Sequence, residues 1–389
     1  MNAPLRIALL THSTNPRGGV VHALELGDAL HDLGQRATVI APDPDGRGLF
    51  RRTRCAYAGV PARARGDLVA RVAATIEDLV AWFERPGAPR FDVYHAQDSI
   101  SANALAELGR RGVVPGYVRT VHHLDHFEDA RLAAWQERGW RAADRVLCVS
   151  RMWQDIMARE HGVAAELVSN GVDTTRFSEA RGARDAMLRQ RLGLGPGPVI
   201  LAVGGVEPRK NTLGILQAFL RMRAALPQAQ LIIAGGASLL DHGAYAREFE
   251  ALAALSGLGR GPGAALQVLG RVDDEDMPAL FRAADLLAFP SLREGFGLVV
   301  LEAMACGTPV LAPAIAPFVD YLPPQACAWA DPHDPASIAD AMLRACDPRT
   351  ATLLRAAGHA VCAQYSWRRS ALRHLDLYRT LIPTGEHHA

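Results

Sequence analysis

PSLREGFGLVVLEAMACGTPV, residues 290–310, decides how this chain is read. A short apolar run, DLLAF (285–289), stands just before it. A loop follows in which Gly295 and Gly297 flank Phe296. Val299, Val300, Leu301, Ala303, Met304 and Ala305 then form an apolar stretch, and Gly307 and Pro309 lead into a second run, TPVLA (308–312). The spacing predicts strand, loop, buried helix and strand, the unit from which parallel sheets are built. Glycines just ahead of a helix let backbone N–H groups approach a ligand closely.

Working outward, the same alternation covers most of the chain. RIALL (6–10), ATVIA (37–41), DVYHA (92–96), YVRTV (117–121) and VLCVS (146–150) read as strands, with helix-like stretches such as VVHALELGDALHDLG (20–34) between them. It pauses over 171–197, where a polar, Arg-rich stretch and GLGPGP indicate a connection. It resumes with PVILAV (198–203), QLIIAG (230–235) and LQVLG (266–270). The fold class is therefore α/β, with two parallel-sheet domains, 1–180 and 181–366, joined near residue 180. SWRRSALRHLDLYRTLI (366–382) reads as an amphipathic helix, within a C-terminal segment taken as 367–389.

Ligands of open parallel sheets bind beyond the carboxyl ends of the strands. GGVEPRKNT (204–212) follows one such strand and holds the only lysine of the chain, Lys210. Arg209 and Lys210 precede a helix expected from about Asn211, whose free N–H groups already favour an anion. After DLLAF, Glu294 lies in the loop and Glu302 in the helix, with an axial rise of about 7.5 Å from Gly297 to Glu302. A diphosphate flanked by two sugars spans such a gap, and carboxylates accept hydrogen bonds from hydroxyls. In the first half, His95 and Asp98 end a strand, and His12 and Asn15 stand near Gly18 and Gly19. These four are acceptor candidates, with ordinary loop polarity the competing reading. His122, His123, Asp125 and His126 lack the HExxH spacing of a metal site, so no metal is assigned.

Composition bounds the function classes. The chain has 389 residues, a net charge of +1 and 49% hydrophobic residues. With its arginines scattered, it gives no reason to expect a nucleic-acid partner. The six cysteines form no CxxC pair and read as reduced. No run approaches the ~20 apolar residues of a membrane span. A cytoplasmic protein is expected, with peripheral membrane contact left open.

The combined motifs resemble the family 4 glycosyltransferases of the GT-B fold. Glu294 and Glu302 match that family's E-x7-E motif. Gly18–Gly19, NGVD (170–173), EPRKN (207–211) and the terminal SW…LY helix match further segments, so the likeness covers nearly the whole chain. The resemblance implies two Rossmann-like domains whose parallel sheets face an interdomain cleft. The N-terminal domain would bind the acceptor, with the C-terminal helix packed back onto it, and 181–366 would bind the donor. The implied reaction is retaining, needs no cofactor or metal, and uses a UDP-, GDP- or ADP-sugar. The acceptor would be a hydroxyl-bearing small molecule, glycan or lipid. His122, Lys210 and Glu294 would carry catalysis. Lys210 and Arg209 would bind the diphosphate, and Glu294 hydroxyls of the transferred sugar. Phe296, Gly297 and Leu298 would offer backbone N–H groups beside Gly295, and Glu302 would hold the ribose. Arg271 and Val272 would line the base pocket, and Gly18 and Gly19 would form the N-terminal glycine loop.

Two departures stand out. Gly205 occupies a position where many members carry arginine. After TPV the chain reads LAPAIAPFVD in place of Gly-Gly and a glutamate, with Asp320 the nearest carboxylate. A non-catalytic nucleotide-sugar-binding protein is the alternative. A nicotinamide dehydrogenase would need a G-x-G-x-x-G after a strand, and none is found. A pyridoxal phosphate enzyme would need a second lysine, because Lys210 is placed in the phosphate loop.

Overall fold

Every apolar run named above forms a strand, because β-branched and leucine side chains buried on both faces suit a sheet covered by helices. The computed structural model describes residues 3–62, 66–236 and 242–382. The chain divides into two units, one comprising Met1–Gly171 with the segment from Trp367 onward, the other Val172–Ser366.

In the first unit the strands are β1 (Arg6–Leu10), β2 (Arg36–Pro42), β3 (Ala56–Val60), β4 (Val93–Ala96), β5 (Val118–Val121), β6 (Arg145–Cys148) and β7 (Glu166–Leu167). They lie in the order β3-β2-β1-β4-β5-β6-β7, all parallel. The second unit holds β8 (Val199–Val203), β9 (Gln230–Ala234), β10 (Leu266–Gly270), β11 (Leu286–Ala288), β12 (Val310–Pro313) and β13 (Ala328–Ala330). Their order is β10-β9-β8-β11-β12-β13, again parallel. In each sheet the winding direction reverses once, between β1 and β4 and between β8 and β11. That reversal opens a crevice at the carboxyl ends of the two strands. It is why the loops after β8 and β11, EPRKN and the E-x7-E loop, arrive side by side.

Each unit has its own core. Leu10, Ile40, Phe83, Tyr94 and Leu105 anchor the first, and Ile200, Phe219, Ile233, Phe249 and Leu286 the second. Each fully buried side chain of this size contributes roughly 1.5–3 kcal/mol. The six cysteines are unbridged, five of them buried. Among the described residues, no helix is long and apolar enough to cross a membrane.

The structure corrects two expectations. The second unit begins at Val172 instead of 181, because 172–180 packs there. Phe177 lies edge-on to Phe281 at 6.0 Å, and Arg176 pairs with Asp274 at 2.5 Å. The stretch read as a connection contains a helix, Ala183–Leu192. It is held mainly by charge: Arg282 grips Asp185 through two bonds of 2.6 and 3.0 Å, and Arg184 and Arg191 both reach Asp276. An apolar-periodicity search passes over such a helix. The C-terminal helix spans Trp367–Leu381, packs against the Gly18–Asp32 helix of its own unit, and 383–389 lie outside the described residues.

Candidate active site

At the crevice of the second sheet, β8 ends in two glycines with positive φ, Gly204 at 128° and Gly205 at 77°. They let the chain double back beside β9 and enter a single turn, Pro208–Lys210. Asn211 follows in the left-handed region, φ 57°, at the N-terminal boundary of the helix Thr212–Ala225. Its side-chain amide donates to the carbonyls of Pro290 and Pro332, 3.2 and 2.6 Å away. The Leu292 N–H donates to the Arg209 carbonyl at 2.9 Å. These bonds clamp the two loops together.

Three sequence-assigned residues meet there. Lys210 Nζ lies 2.6 Å from Glu294 Oε1, and Arg209 Nη1 lies 2.9 Å from the same oxygen. Lys210 also sits over the Phe289 ring, 4.5 Å from its centroid. Lys210 and Glu294 are largely buried, with side chains 14% and 8% exposed. Burial drives the Lys210 pKa down, against the attraction of Glu294. Burial alone would raise Glu294, but Lys210 and Arg209 outweigh it and hold the carboxyl below its usual range. An internal carboxylate thus rests on two cations at the mouth of two helices, Thr212–Ala225 and Leu298–Ala305. Neither helix has a side-chain N-cap bond. Such a place attracts a second, stronger anion.

Glycine at 204 and 205 has a steric cause. A Cβ on Gly204 would stand 2.6–2.8 Å from the Lys210 stem. One on Gly205 would stand 2.9 and 3.0 Å from the carbonyl oxygens of Gly236 and Gly235. No arginine fits at 205, and Arg209 reaches the same carboxylate oxygen as Lys210. If a nucleoside diphosphate is held here, as the family resemblance implies, Gly204→Ala is expected to displace the lysine and weaken that binding about tenfold, since strain of roughly 1–3 kcal/mol is added at φ > 0. A thermal shift by nucleotide that equals the wild type's would contradict this.

The other donor candidates spread around this centre. Gly295 is half-buried, Phe296 buried, and Gly297 (φ 91°) precedes the helix Leu298–Ala305, on which Glu302 is half-buried. Arg271 and Val272 follow β10 and line a cavity of about 540 Å³ along that strand, whose lining includes neither Lys210 nor Glu294.

In the first unit the crevice between β1 and β4 gathers the remaining candidates. Gly18 and Gly19 open the helix Gly18–Asp32, which lacks a side-chain cap. A Cβ on Gly19 would touch His122 Cδ2 at 3.4 Å and the Gln97 carbonyl at 3.5 Å, so glycine permits close packing there. His122 is half-buried, and its Nε2 lies 3.0 Å from Gln97 Oε1. Burial holds its pKa well below the ordinary histidine value. His12 pairs with Asp98 at 3.3 Å, and Asp98 also caps the helix Ser99–Arg110 by accepting from the Ser101 N–H. Asn15 is exposed. His95 departs from its expected place at an acceptor surface. It is fully buried, with Nδ1 2.7 Å from Tyr378 Oη and Nε2 2.7 Å from Thr120 Oγ1. Both ring nitrogens are thereby occupied within the core.

The sequence reading missed what surrounds His122. His22 lies edge-on to it at 4.8 Å, to Trp367 at 5.3 Å and to His374 at 5.8 Å. His22 Nδ1 lies 2.8 Å from Asn170 Oδ1. The only available signal was the pairing of NGVD with the SW…LY helix, which supply Asn170, Trp367, His374 and Tyr378.

Comparison with known proteins identifies the family and the fold. Residues 185–355 match the model described as glycosyl transferases group 1, and 16–176 match glycosyltransferase family 4. A D-inositol 3-phosphate glycosyltransferase of Salinispora arenicola is 33% identical over 319 residues, covering 75% of this chain and 69% of that protein. The sucrose-phosphate synthase structure from Thermosynechococcus elongatus superposes with a TM-score of 0.78 at 24% identity, covering 97% of this chain and 99% of the other. The Anabaena protein HepE, solved with UDP-glucose, gives a TM-score of 0.77 at 19% identity over 97% of this chain and all of the other (100%).

Proposed function

Because the chain belongs to the family 4 glycosyltransferases of the GT-B fold, we propose that it moves a sugar from a nucleoside diphosphate sugar to a hydroxyl acceptor, with retention at the anomeric carbon. The observation that carries this reading is the Lys210–Glu294–Arg209 group at the crevice of the second sheet. The diphosphate displaces Glu294 from the two cations, and the freed carboxylate accepts hydrogen bonds from the transferred sugar. Lys210, Arg209 and the two helix N-termini supply the positive charge, in place of a metal. Backbone N–H groups of Phe296, Gly297 and Leu298 complete the cradle beside Gly295. Glu302 takes the ribose, and Arg271 and Val272 the base. The bond from the anomeric carbon to the phosphate oxygen breaks as the bond to the acceptor oxygen forms. The acceptor's proton leaves with the nucleoside diphosphate.

The acceptor falls to the first unit, residues 1–171 and the helix from Trp367. His12, Asn15 and Asp98 are the acceptor candidates there, beside His122, Gly18 and Gly19 of the same unit. The acceptor named for the Salinispora relative makes a phosphorylated polyol the first to try.

The test is thermal denaturation with UDP, GDP and ADP at millimolar concentration, followed by nucleotide release from the matching sugar donors. One nucleotide should stabilise the fold, by ~2.7 kcal/mol at a hundred times its dissociation constant. Release should then depend on the acceptor. Binding without turnover across the donor panel would leave only a sugar-nucleotide-binding protein, and no binding at all would remove the donor site.

A further inference from the structure

The segment that departs from the family pattern, AIAPFVDY (314–321), packs directly on the E-x7-E loop. It turns after β12 into the short helix Phe318–Tyr321. The Tyr321 ring lies flat on Phe296, with centroids 4.6 Å apart and planes 10° from parallel. Its hydroxyl donates to the Phe296 carbonyl at 3.0 Å. Tyr365 closes the other side, edge-on to Tyr321 at 5.5 Å. Phe318 is fully buried, and its Cε1 would lie 2.7 Å from a Cβ on Gly297. Phe318 also stands edge-on to Phe289, the ring beneath Lys210 Nζ.

We infer that Tyr321 is a positioning residue: by fixing the Phe296 carbonyl, it sets the direction of the Gly297 N–H at the helix N-terminus. The peptide between Phe296 and Gly297 is trans, since the only cis bond among the described residues is Ala316–Pro317. In a planar trans peptide the carbonyl and the next N–H point in opposite directions. Anchoring the oxygen to Tyr321 therefore turns the N–H away from Tyr321. That N–H makes no backbone hydrogen bond to a described residue. Phe318 excludes any side chain at 297, so the peptide is confined from that side as well. The segment thus supplies rigidity to the loop. Asp320, the nearest carboxylate in the sequence, is exposed. This inference rests on the donor-site reading, in which the Gly297 N–H meets the sugar or phosphate.

The experiment compares Tyr321→Phe, Asp320→Asn and Lys210→Ala. Each is assayed with the nucleoside diphosphate that stabilises the wild type and with its sugar donor. Tyr321→Phe keeps the ring stack and removes one hydroxyl. It is expected to lower kcat about tenfold, in keeping with the cost of small misplacements at a reacting centre. The acceptor KM and the melting temperature should stay close to wild type, and Asp320→Asn should match wild type throughout. Wild-type kcat in Tyr321→Phe, beside an inactive Lys210→Ala, would overturn the positioning role and leave the donor site standing. A fall in kcat that merely follows a lower melting temperature would reduce Tyr321 to a structural residue. If Lys210→Ala binds nucleotide as wild type does, the donor-site reading fails and takes this inference with it. Loss of activity in Asp320→Asn would transfer the role to that carboxylate.

Discussion

Lys210→Ala is expected to lower kcat by about 10²–10³-fold, the scale seen when one preorganised donor to developing charge is removed. The departing diphosphate gains charge as the glycosidic bond breaks. In the proposed reaction Lys210 is the compact cation for that charge, largely buried and 2.6 Å from the carboxylate that the diphosphate would replace. Arg209 is more exposed, at 45%, and its charge is better screened by water. A complication follows from the same geometry. Removing Lys210 leaves Glu294 buried with Arg209 alone, and breaking a buried pair costs about 3–5 kcal/mol when nothing replaces the lost partner. Arg209 should reduce that figure. The double variant Lys210→Ala with Glu294→Gln removes the stranded charge, so its melting temperature should recover toward wild type while activity stays lost. Recovery of both would mean that the single variant failed by instability. The single variant Glu294→Gln gives the converse result: with the competing carboxylate neutral, nucleoside diphosphate should bind at least as tightly as in wild type, while transfer fails. Calorimetry with the diphosphate alone measures the first and product release the second.

The architecture was legible because its signal is local. Apolar runs of strand length, separated by helices that end in glycine, report a parallel sheet wherever they occur. Edge strands were harder. β3, β7 and β13 are short, partly exposed or poor in β-branched residues, and only pairing distinguishes them from loop. The helix Ala183–Leu192 was hidden for a different reason, since its partners are Arg282 and Asp276, a hundred or so residues away in sequence terms. At the site, EPRKN and the E-x7-E loop were found because each carries its chemistry within a few residues. That Glu294 closes onto both cations could not be read, because it depends on β8 and β11 being neighbours. His95 misled for the same reason. A histidine at a strand end looks like a site residue until Tyr378, from the far end of the chain, takes its Nδ1.

The first unit is expected to lose stability steeply between about pH 6.5 and pH 4. Four histidines are gathered there: His22, His95, His122 and His374, with centroid separations of 4.8–5.8 Å between neighbours. Burial is the leading cause of depression in each. It brings His22 to about 4 and His374 to about 3, and holds His95 and His122 well below 6.5. The buried Arg119, and the other histidines once protonated, push His95 and His122 the same way. Asp98 is turned toward His12, its ion-pair partner. An unfolded histidine titrates near 6.5. Below that value the unfolded chain therefore binds protons that the folded unit refuses, and stability falls as pH falls. It stops falling from this source only below the folded pKa values. Each histidine contributes a slope of up to about 1.4 kcal/mol per pH unit, so four together reach roughly 5. Against a total stability of about 5–15 kcal/mol, this unfolds the unit within roughly one to three pH units. The helix Trp367–Leu381 carries His374 and Tyr378 and should detach in the same transition. Urea midpoints measured from pH 7.5 to 4.5 give the proton uptake directly. His374→Leu should remove about one proton from the slope near pH 5, because its ring accounts for one of the four sites. An unchanged slope would place the acid sensitivity in the carboxylates instead. A wild-type midpoint that is flat with pH across this range would mean that the four rings accept protons in the folded state, and the neutral histidine core would have to be abandoned.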